Sequence, residues 1–425
     1  MGGRPAAASP RLFPGWLVVG GAFGVLFVGF GAAYAFSAFF EALEAEFAAS
    51  RASVSMVFSI AGFLYFSLGA ASGPVADRVG PRWIVCAGLA FVGLGLILAS
   101  QATALWHVFV AYGLGVGIGI GMAYVPSVGA VQRWFVRRRG LASGLAVSGI
   151  GFGTLVVPAF AALLIDWGGW RFGYLGLGVL ALTLGCAAAL LIEASPEKRG
   201  LGPDGDPPAP VTAGGGAGRG GIGVVEAIKT RPFVLLYASS FVSCIGMMIP
   251  FVHLVPFAQD AGLSRVTAVL ILGLVGVGST AGRFLLAGIA DRFGRVSSLA
   301  AMFAGMGVMF LWWLTAGNAW QLALFALVFG LFYGGYVALI PAVTADYFAG
   351  PNVSGIIGAQ YTSVAVGILV GPILAGLAFD EWQSYTVPIA VSAGCCLVAT
   401  VCILVLERPT EWRRRQGAEP PATAS

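Results

Sequence analysis

Charge is what this sequence has least of: 10% of its 425 residues are Asp, Glu, Lys or Arg, against 58% hydrophobic, with a mean hydropathy of +0.91. These values exclude an ordinary soluble domain, which carries about a quarter charged residues, and a disordered chain, which lacks apolar content. Metal-ligand patterns are missing as well. There are 2 histidines, and no His, Cys and carboxylate set has ligand spacing, so neither metal nor cofactor is expected. The cysteines (Cys86, Cys186, Cys244, Cys395, Cys396, Cys402) all lie in apolar runs and read as small core residues rather than disulfide partners. A nucleophile elbow and a phosphate-binding glycine loop opening a helix are both absent, so an integral-membrane enzyme is not expected. The net charge of +5 sits in short loops and tails, where insertion topology explains it without nucleic acid.

Long apolar runs fill the rest. With about 20 residues needed to cross a bilayer, the spans fall at 14–39, 54–75, 83–100, 106–131, 141–165 and 171–193, then 233–257, 266–289, 297–316, 320–345, 354–378 and 385–406. The expected fold is an all-α polytopic membrane protein of twelve transmembrane helices in two pseudo-symmetric six-helix bundles. The domains are 1–193, a flexible Gly- and Pro-rich linker 194–232, a second bundle 233–406 and a tail 407–425. Residues 1–12 are polar and Arg-bearing. The apolar stretch after them is too long for a signal-peptide core, so the first segment is expected to stay.

With both termini inside, 19 of the 23 Lys and Arg residues lie on the inner side and only Arg51, Arg171 and Arg265 on the outer, with Arg283 in the membrane. That asymmetry predicts a multi-pass protein of the cell inner (plasma) membrane with cytoplasmic termini. The halves also repeat. Ala76-Asp77-Arg78-Val79-Gly80 recurs 214 residues later as Ala290-Asp291-Arg292-Phe293-Gly294, and Pro158 pairs with Pro372 at the same offset. Trp134-Phe135 and Tyr347-Phe348 pair at 213. Near-equal offsets indicate a duplication with parallel repeats.

The loop Gly73-Pro-Val-Ala-Asp77-Arg78-Val-Gly80-Pro-Arg82 resembles the signature loop between helices 2 and 3 of the major facilitator superfamily. The segment from Trp134-Phe135 through Arg137-Arg138-Arg139-Gly140 to Gly153 is similar to the helix 4 to 5 motif of the monocarboxylate transporter family, and Phe13-Pro14-Gly15-Trp16 to the start of its bacterial members. The resemblance implies transport by alternating access. Asp77, Arg78, Asp291 and Arg292 would then form a cytoplasmic gate across the bundles; the plain alternative is a tight turn with topogenic charges. Glycines at four-residue spacing (Gly113, Gly117 and Gly121; Gly140 and Gly144; Gly149 and Gly153) suggest close helix packing, with direct ligand contact as the lesser reading.

Arg283 is the only charge in the interior of span 8. An arginine cannot shed its proton, and its planar fork matches a carboxylate. The alternative is a side chain that snorkels to the interface. The family resemblance implies a substrate-binding arginine in helix 8, and Arg283 occupies that place. A single cation argues for a monocarboxylate such as lactate or pyruvate. Ser279, one turn earlier, stands where the animal lactate carriers have an acid, and span 1 has no Lys, so their coupling scheme cannot be transferred. Tyr124, Tyr333, Tyr336 and Tyr361 lie in spans that line the cavity in the superfamily and are candidate donors to the carboxylate; packing and interfacial anchoring are the alternatives. His253 and Asp260, seven residues apart in span 7, are the proton-coupling candidates, or else an interfacial His and an outer-loop Asp. The expected activity is proton-linked carriage of a short monocarboxylate. An oxalate- or formate-type exchanger and a drug effluxer are the alternatives, and a non-transporting receptor a remote one.

Overall fold

The computed structural model describes residues 13–206, 222–348 and 352–415. Among them 11 helical stretches are long and apolar enough to cross a membrane. One, Gly140–Leu190, has 51 residues, about 76 Å of helix where about 30 Å suffices. Gly169, at φ 79° and ψ 174°, breaks it, so spans 5 and 6 meet in a reversal with almost no loop. The twelve expected crossings are therefore present.

Spans 1 and 7 are each kinked at one residue, Ala35 and Met248, that keeps right-handed helical φ and ψ. Span 1 divides into Gly15–Tyr34 and Phe36–Phe47, and span 7 into Arg231–Met247 and Ile249–Asp260. Pro250 opens the second piece of span 7, where the missing N–H of a proline is tolerated. Span 1 thus runs well past residue 39. Phe39, Phe40 and Leu43 are fully buried and carry the apolar face on beneath the acidic stripe of Glu41, Glu44 and Glu46.

The duplication extends from sequence into backbone conformation. Gly80 and Gly294 turn at φ 99° and 93°, and Ala48 and Gly262 at φ 44° and 87°. Ser50 and Ser264 each cap the following helix, accepting from the N–H of Ser53 and Thr267. Every one of these pairs is separated by the offset of the repeat. Span 2 packs along span 11, and span 8 along span 5, so each half contributes one helix to each seam. The seams run on small residues: a methyl group at Gly151 would lie 2.5 Å from the Gly276 carbonyl oxygen, and one at Gly376 2.6 Å from the Ala52 Cα. Most of the glycine spacings read from sequence serve packing inside the first half, while Gly144 faces the Phe284 ring of span 8 across the seam, at 2.5 Å from an added methyl group. Gly149 and Gly153 meet the backbone of span 1, Gly117 and Gly121 that of span 2, and Gly140 meets nothing within 4 Å.

Both termini approach one end of the bundle, the near end; the turns around residues 48–50, 169, 262 and 383 form the far end. Of the expected linker, residues 207–221 lie outside the described residues, as do the expected N-terminal 1–12 and the tail beyond 415. The linker is docked on either side of that segment. Asp204 accepts from the N–H of Val136 at 2.9 Å and of Arg137 at 2.8 Å, and Asn352 donates to the Ile222 carbonyl at 3.2 Å. Burial works to raise the Asp204 pKa, but the backbone N–H donors of Arg137 and Val136 outweigh it and hold the carboxyl below its ordinary value.

A Cβ at Gly169 would meet nothing within 4 Å, so Gly169→Ala isolates the backbone cost of its positive φ. It is expected to lower unfolding stability in detergent by about 1–2 kcal/mol. Gly394→Ala, also in open space but inside a helix, serves as the control. Equal melting temperatures for the two variants would contradict the reversal at Gly169.

Candidate functional site

Eight spans meet around a small central cavity of about 40 Å³. Spans 1, 2, 4 and 5 contribute Phe30, Tyr34, Phe66, Tyr124 and Ile150, while spans 7, 8, 10 and 11 contribute Met247, Met248, Arg283, Tyr333, Tyr336, Tyr361 and Val364, among others. The kinks in spans 1 and 7 lie at its wall, since Tyr34 and Met248 both line it.

Arg283 is the only charge on that wall. Its Nη1 donates to the Val147 carbonyl of span 5 at 3.0 Å, while its buried Nε has no partner. No described carboxylate pairs with it, so the guanidinium is anchored but unneutralised. The Tyr336 hydroxyl is likewise buried without a partner. A buried polar atom without a bond costs about 1–3 kcal/mol, which a ligand that supplies the bond recovers. The wall is otherwise aromatic and aliphatic. Such a site suits a small anion with an apolar body.

The four candidate tyrosines Tyr124, Tyr333, Tyr336 and Tyr361 are therefore brought together with Arg283. Ser279 is not, which corrects that expectation. It is buried in the seam with span 10, where a methyl group at Gly334 would lie 2.7 Å from its Cα.

His253 and Asp260 lie apart from the cavity wall, in a network toward the far end. His253 is fully buried. Its Nε2 lies 2.9 Å from the Pro372 carbonyl, which can only accept, so that nitrogen carries the hydrogen and also reaches Ser55 Oγ at 3.1 Å. The Tyr385 hydroxyl then donates to Nδ1 at 3.1 Å and receives Arg51 Nη1 at 2.7 Å. Arg51 in turn forks onto Asp260, Nη1 to Oδ2 at 2.7 Å and Nη2 to Oδ1 at 2.9 Å. Its side chain is 8% exposed and lies over the Phe379 ring at 3.9 Å.

Sequence reasoning missed Arg51, Asp380 and Tyr385. Arg51 looked like an outer-loop topogenic charge, yet its backbone N–H donates to Asp380 Oδ1 at 2.9 Å and that of Ala52 to Oδ2 at 3.0 Å. The signal was available in the repeat. Arg51 and Arg265, and Asp166 and Asp380, are duplicate pairs, and Arg265 Nη1 reaches Asp166 Oδ1 at 3.1 Å.

The near end is charged differently. Arg82 pairs with Glu193 at 3.2 Å and Arg295 with Asp346 at 3.0 Å, both within one half. The side chains of Asp77 and Asp291 lie outside the described residues. Arg78 and Arg292 are exposed, and no described carboxylate pairs with either. Among the described residues, then, ion pairs join the halves at the far end and not at the near end.

A family model described as Major Facilitator Superfamily matches residues 21–317 and 276–425. The chain is 29% identical over 413 residues to Monocarboxylate transporter 12-B of Danio rerio, covering 92% of this chain and 86% of that one. It is 28% identical to Monocarboxylate transporter 11 of Homo sapiens, covering 93% and 83%. Among solved structures, a bacterial homolog of the human lysosomal transporter Spinster, crystallised in an inward-facing and occupied conformation, superposes with a TM-score of 0.66 at 13% identity, over 97% of this chain and all of that one.

Two tyrosines separate a structural hydroxyl from an idle one. Tyr385→Phe keeps the ring against Phe379 and Phe257 but strips His253 of its donor. It is expected to cost about 1–3 kcal/mol in thermal unfolding. Tyr336→Phe removes a hydroxyl with no partner and is expected to leave stability unchanged or raised. The opposite ranking would refute the bonding described here.

Proposed function

The chain belongs to the major facilitator superfamily and, within it, to the monocarboxylate transporter family; on that premise we propose that it carries a short monocarboxylate, of the lactate and pyruvate kind, together with a proton. The observation that carries the proposal is Arg283: one anchored, unneutralised guanidinium in a cavity with Tyr124, Tyr333, Tyr336 and Tyr361. The free edge of the guanidinium receives the carboxylate, tyrosine hydroxyls complete its bonds, and the apolar wall takes the tail. One cation matches one negative charge. Loading neutralises the site and lowers the cost of closing it off from water.

The near end faces the cytoplasm in this reading, which the bias of Lys and Arg toward that end supports. Among the described residues, ion pairs join the halves at the far end, and this supports an inward-facing state in which the cavity exchanges with the cytoplasm. The other state of the cycle joins the near end instead, with Asp77, Arg78, Asp291 and Arg292 as its gate. His253 and Asp260 are the proposed path of the proton. Their place on one helix piece supports that role, with Asp260 toward the far end and His253 nearer the cavity; Arg51 and Tyr385 between them hold the two in position, since an arginine does not pass on its own proton.

Uptake of labelled lactate and pyruvate into proteoliposomes, with and without an inward proton gradient, tests the activity. Accumulation is expected to rise with the gradient; indifference to it removes the proton, and counterflow with oxalate or formate would then mark an exchanger. Arg283→Lys keeps the charge but loses the fork, a change of about 1.5–3 kcal/mol for a charged bond, so its apparent affinity is expected to fall by about tenfold or more. Wild-type affinity in that variant would refute the two-pronged site.

A further inference from the structure

The charges at the far end do more than cap helices. Arg51 belongs to span 2 of the first half, and the groups it holds, Asp260, Tyr385 and the Phe379 ring, belong to spans 7, 11 and 12 of the second. Asp380 crosses the same seam in the opposite sense. The first N–H groups of a helix have no partner inside it, and those of Arg51 and Ala52 are satisfied by a carboxylate from the other half. The start of span 2 is therefore fully bonded only while the halves are together at this end. Gly376 allows the approach, because a methyl group there would strike the Ala52 Cα at 2.6 Å.

The duplication supplies a second copy. Arg265 opens span 8 as Arg51 opens span 2, and it reaches across the other seam to Asp166, the counterpart of Asp380, at 3.1 Å. The copies are unequal. Asp260 has its own counterpart in Glu46, which turns instead to Arg171 of its own half at 2.8 Å. Arg265 thus keeps one ion pair across its seam and is more exposed than Arg51, which makes it the weaker of the two.

We infer that Arg51 with Asp260 and Asp380, and Arg265 with Asp166, are positioning residues of the transport cycle: a two-fold-related pair of latches whose release opens the Arg283 cavity toward the far side. The inference rests on the transport reading only in taking the far side to open at all. Opening must break every one of these bonds at once, because each joins groups on opposite halves. Arg51 then loses Asp260 and keeps only Glu44 of its own half, at 3.4 Å, and the N–H groups of Arg51 and Ala52 lose Asp380 while Ser50 still caps the N–H of Ser53. The latch therefore sets how the protein divides its time between the two facings, while Arg283 sets what is carried.

Spin labels at Ala45→Cys and Glu381→Cys, exposed positions on opposite halves of the far end, report the gap in a cysteine-replaced background reconstituted in liposomes. Arg51→Gln and the wedge Gly376→Leu are each expected to shift the ratio of long to short distances by roughly tenfold or more. Arg265→Gln should shift it in the same direction but less. Arg265→Asp combined with Asp166→Arg restores the second pair and should return the short distance. Because Arg265 is the more exposed residue, this arm decides the matter even if Arg51→Gln fails to fold. Unchanged distances in Arg265→Gln and Gly376→Leu, or no return in the exchanged pair, would overturn the latch. The readout requires no substrate, so a protein that carries no monocarboxylate can still pass it, and one that transports can still fail it.

Discussion

A guanidinium withdrawn from water must find its bonds in protein, and this molecule treats two such groups in opposite ways. Arg51 is saturated: a carboxylate fork, a tyrosine hydroxyl and an aromatic face occupy it, and its backbone N–H is bound as well. Arg283 is left short, with one carbonyl contact and an idle Nε. The saturated arginine holds two halves of the protein together. The unsaturated one is held in position by the protein and keeps capacity for something else. The same chemistry is fastened in one place and left with free bonding capacity in the other, and the difference lies in whether carboxylates are built into the surroundings.

The duplication explains how both arise from one plan. Turn conformations, helix caps, the opening arginines and the far-end aspartates all recur at the offset of the repeat. The scaffold and its fastenings are therefore two-fold. The binding charge is not. The position that duplicates Arg283 is Gly69, where an added methyl group would meet only Val125 at 3.3 Å. A symmetric frame that can rock between two facings thus encloses a site with one cation, and a single charged ligand does not have to satisfy two equivalent halves.

Much of this was legible in the chain. Apolar runs of membrane-spanning length give the crossings, the repeat gives their grouping, and a lone charge in an apolar run is conspicuous because its cost is large. The errors share a cause. Span 1 runs on past residue 39 although acidic residues follow it, and Arg51 is buried although its place between spans 1 and 2 reads as an outer loop; in both cases polarity near a helix end does not mean water. The fold instead carries those residues into the seam between halves, where their partners lie 209 and 329 residues away. No local pattern displays such pairing. Ser279 failed for a different reason, since span 10 packs over it.

The cavity and the fastening are separate in chemistry but share a helix. Phe251, in the second piece of span 7, stacks on Tyr34 of span 1 at 4.6 Å and meets Tyr333 at 5.3 Å, so rings from both halves close the far side of the cavity. Two residues on, His253 bonds Ser55 of one half and Pro372 of the other, and at the end of the same piece Asp260 holds Arg51. The piece Ile249–Asp260 is 12 residues long and hinged at Met248, itself on the cavity wall. Tyr34, Tyr333 and Met248 on the cavity wall thus adjoin the element that carries every second-half group in this chain of contacts except Pro372, Phe379, Asp380 and Tyr385. Those four lie on or beside span 11, which packs along span 2 over its length. Two elements thus transmit the state of the cavity to the far end, and both must move if either does, because Tyr385 bonds His253 on one and packs on Phe379 of the other.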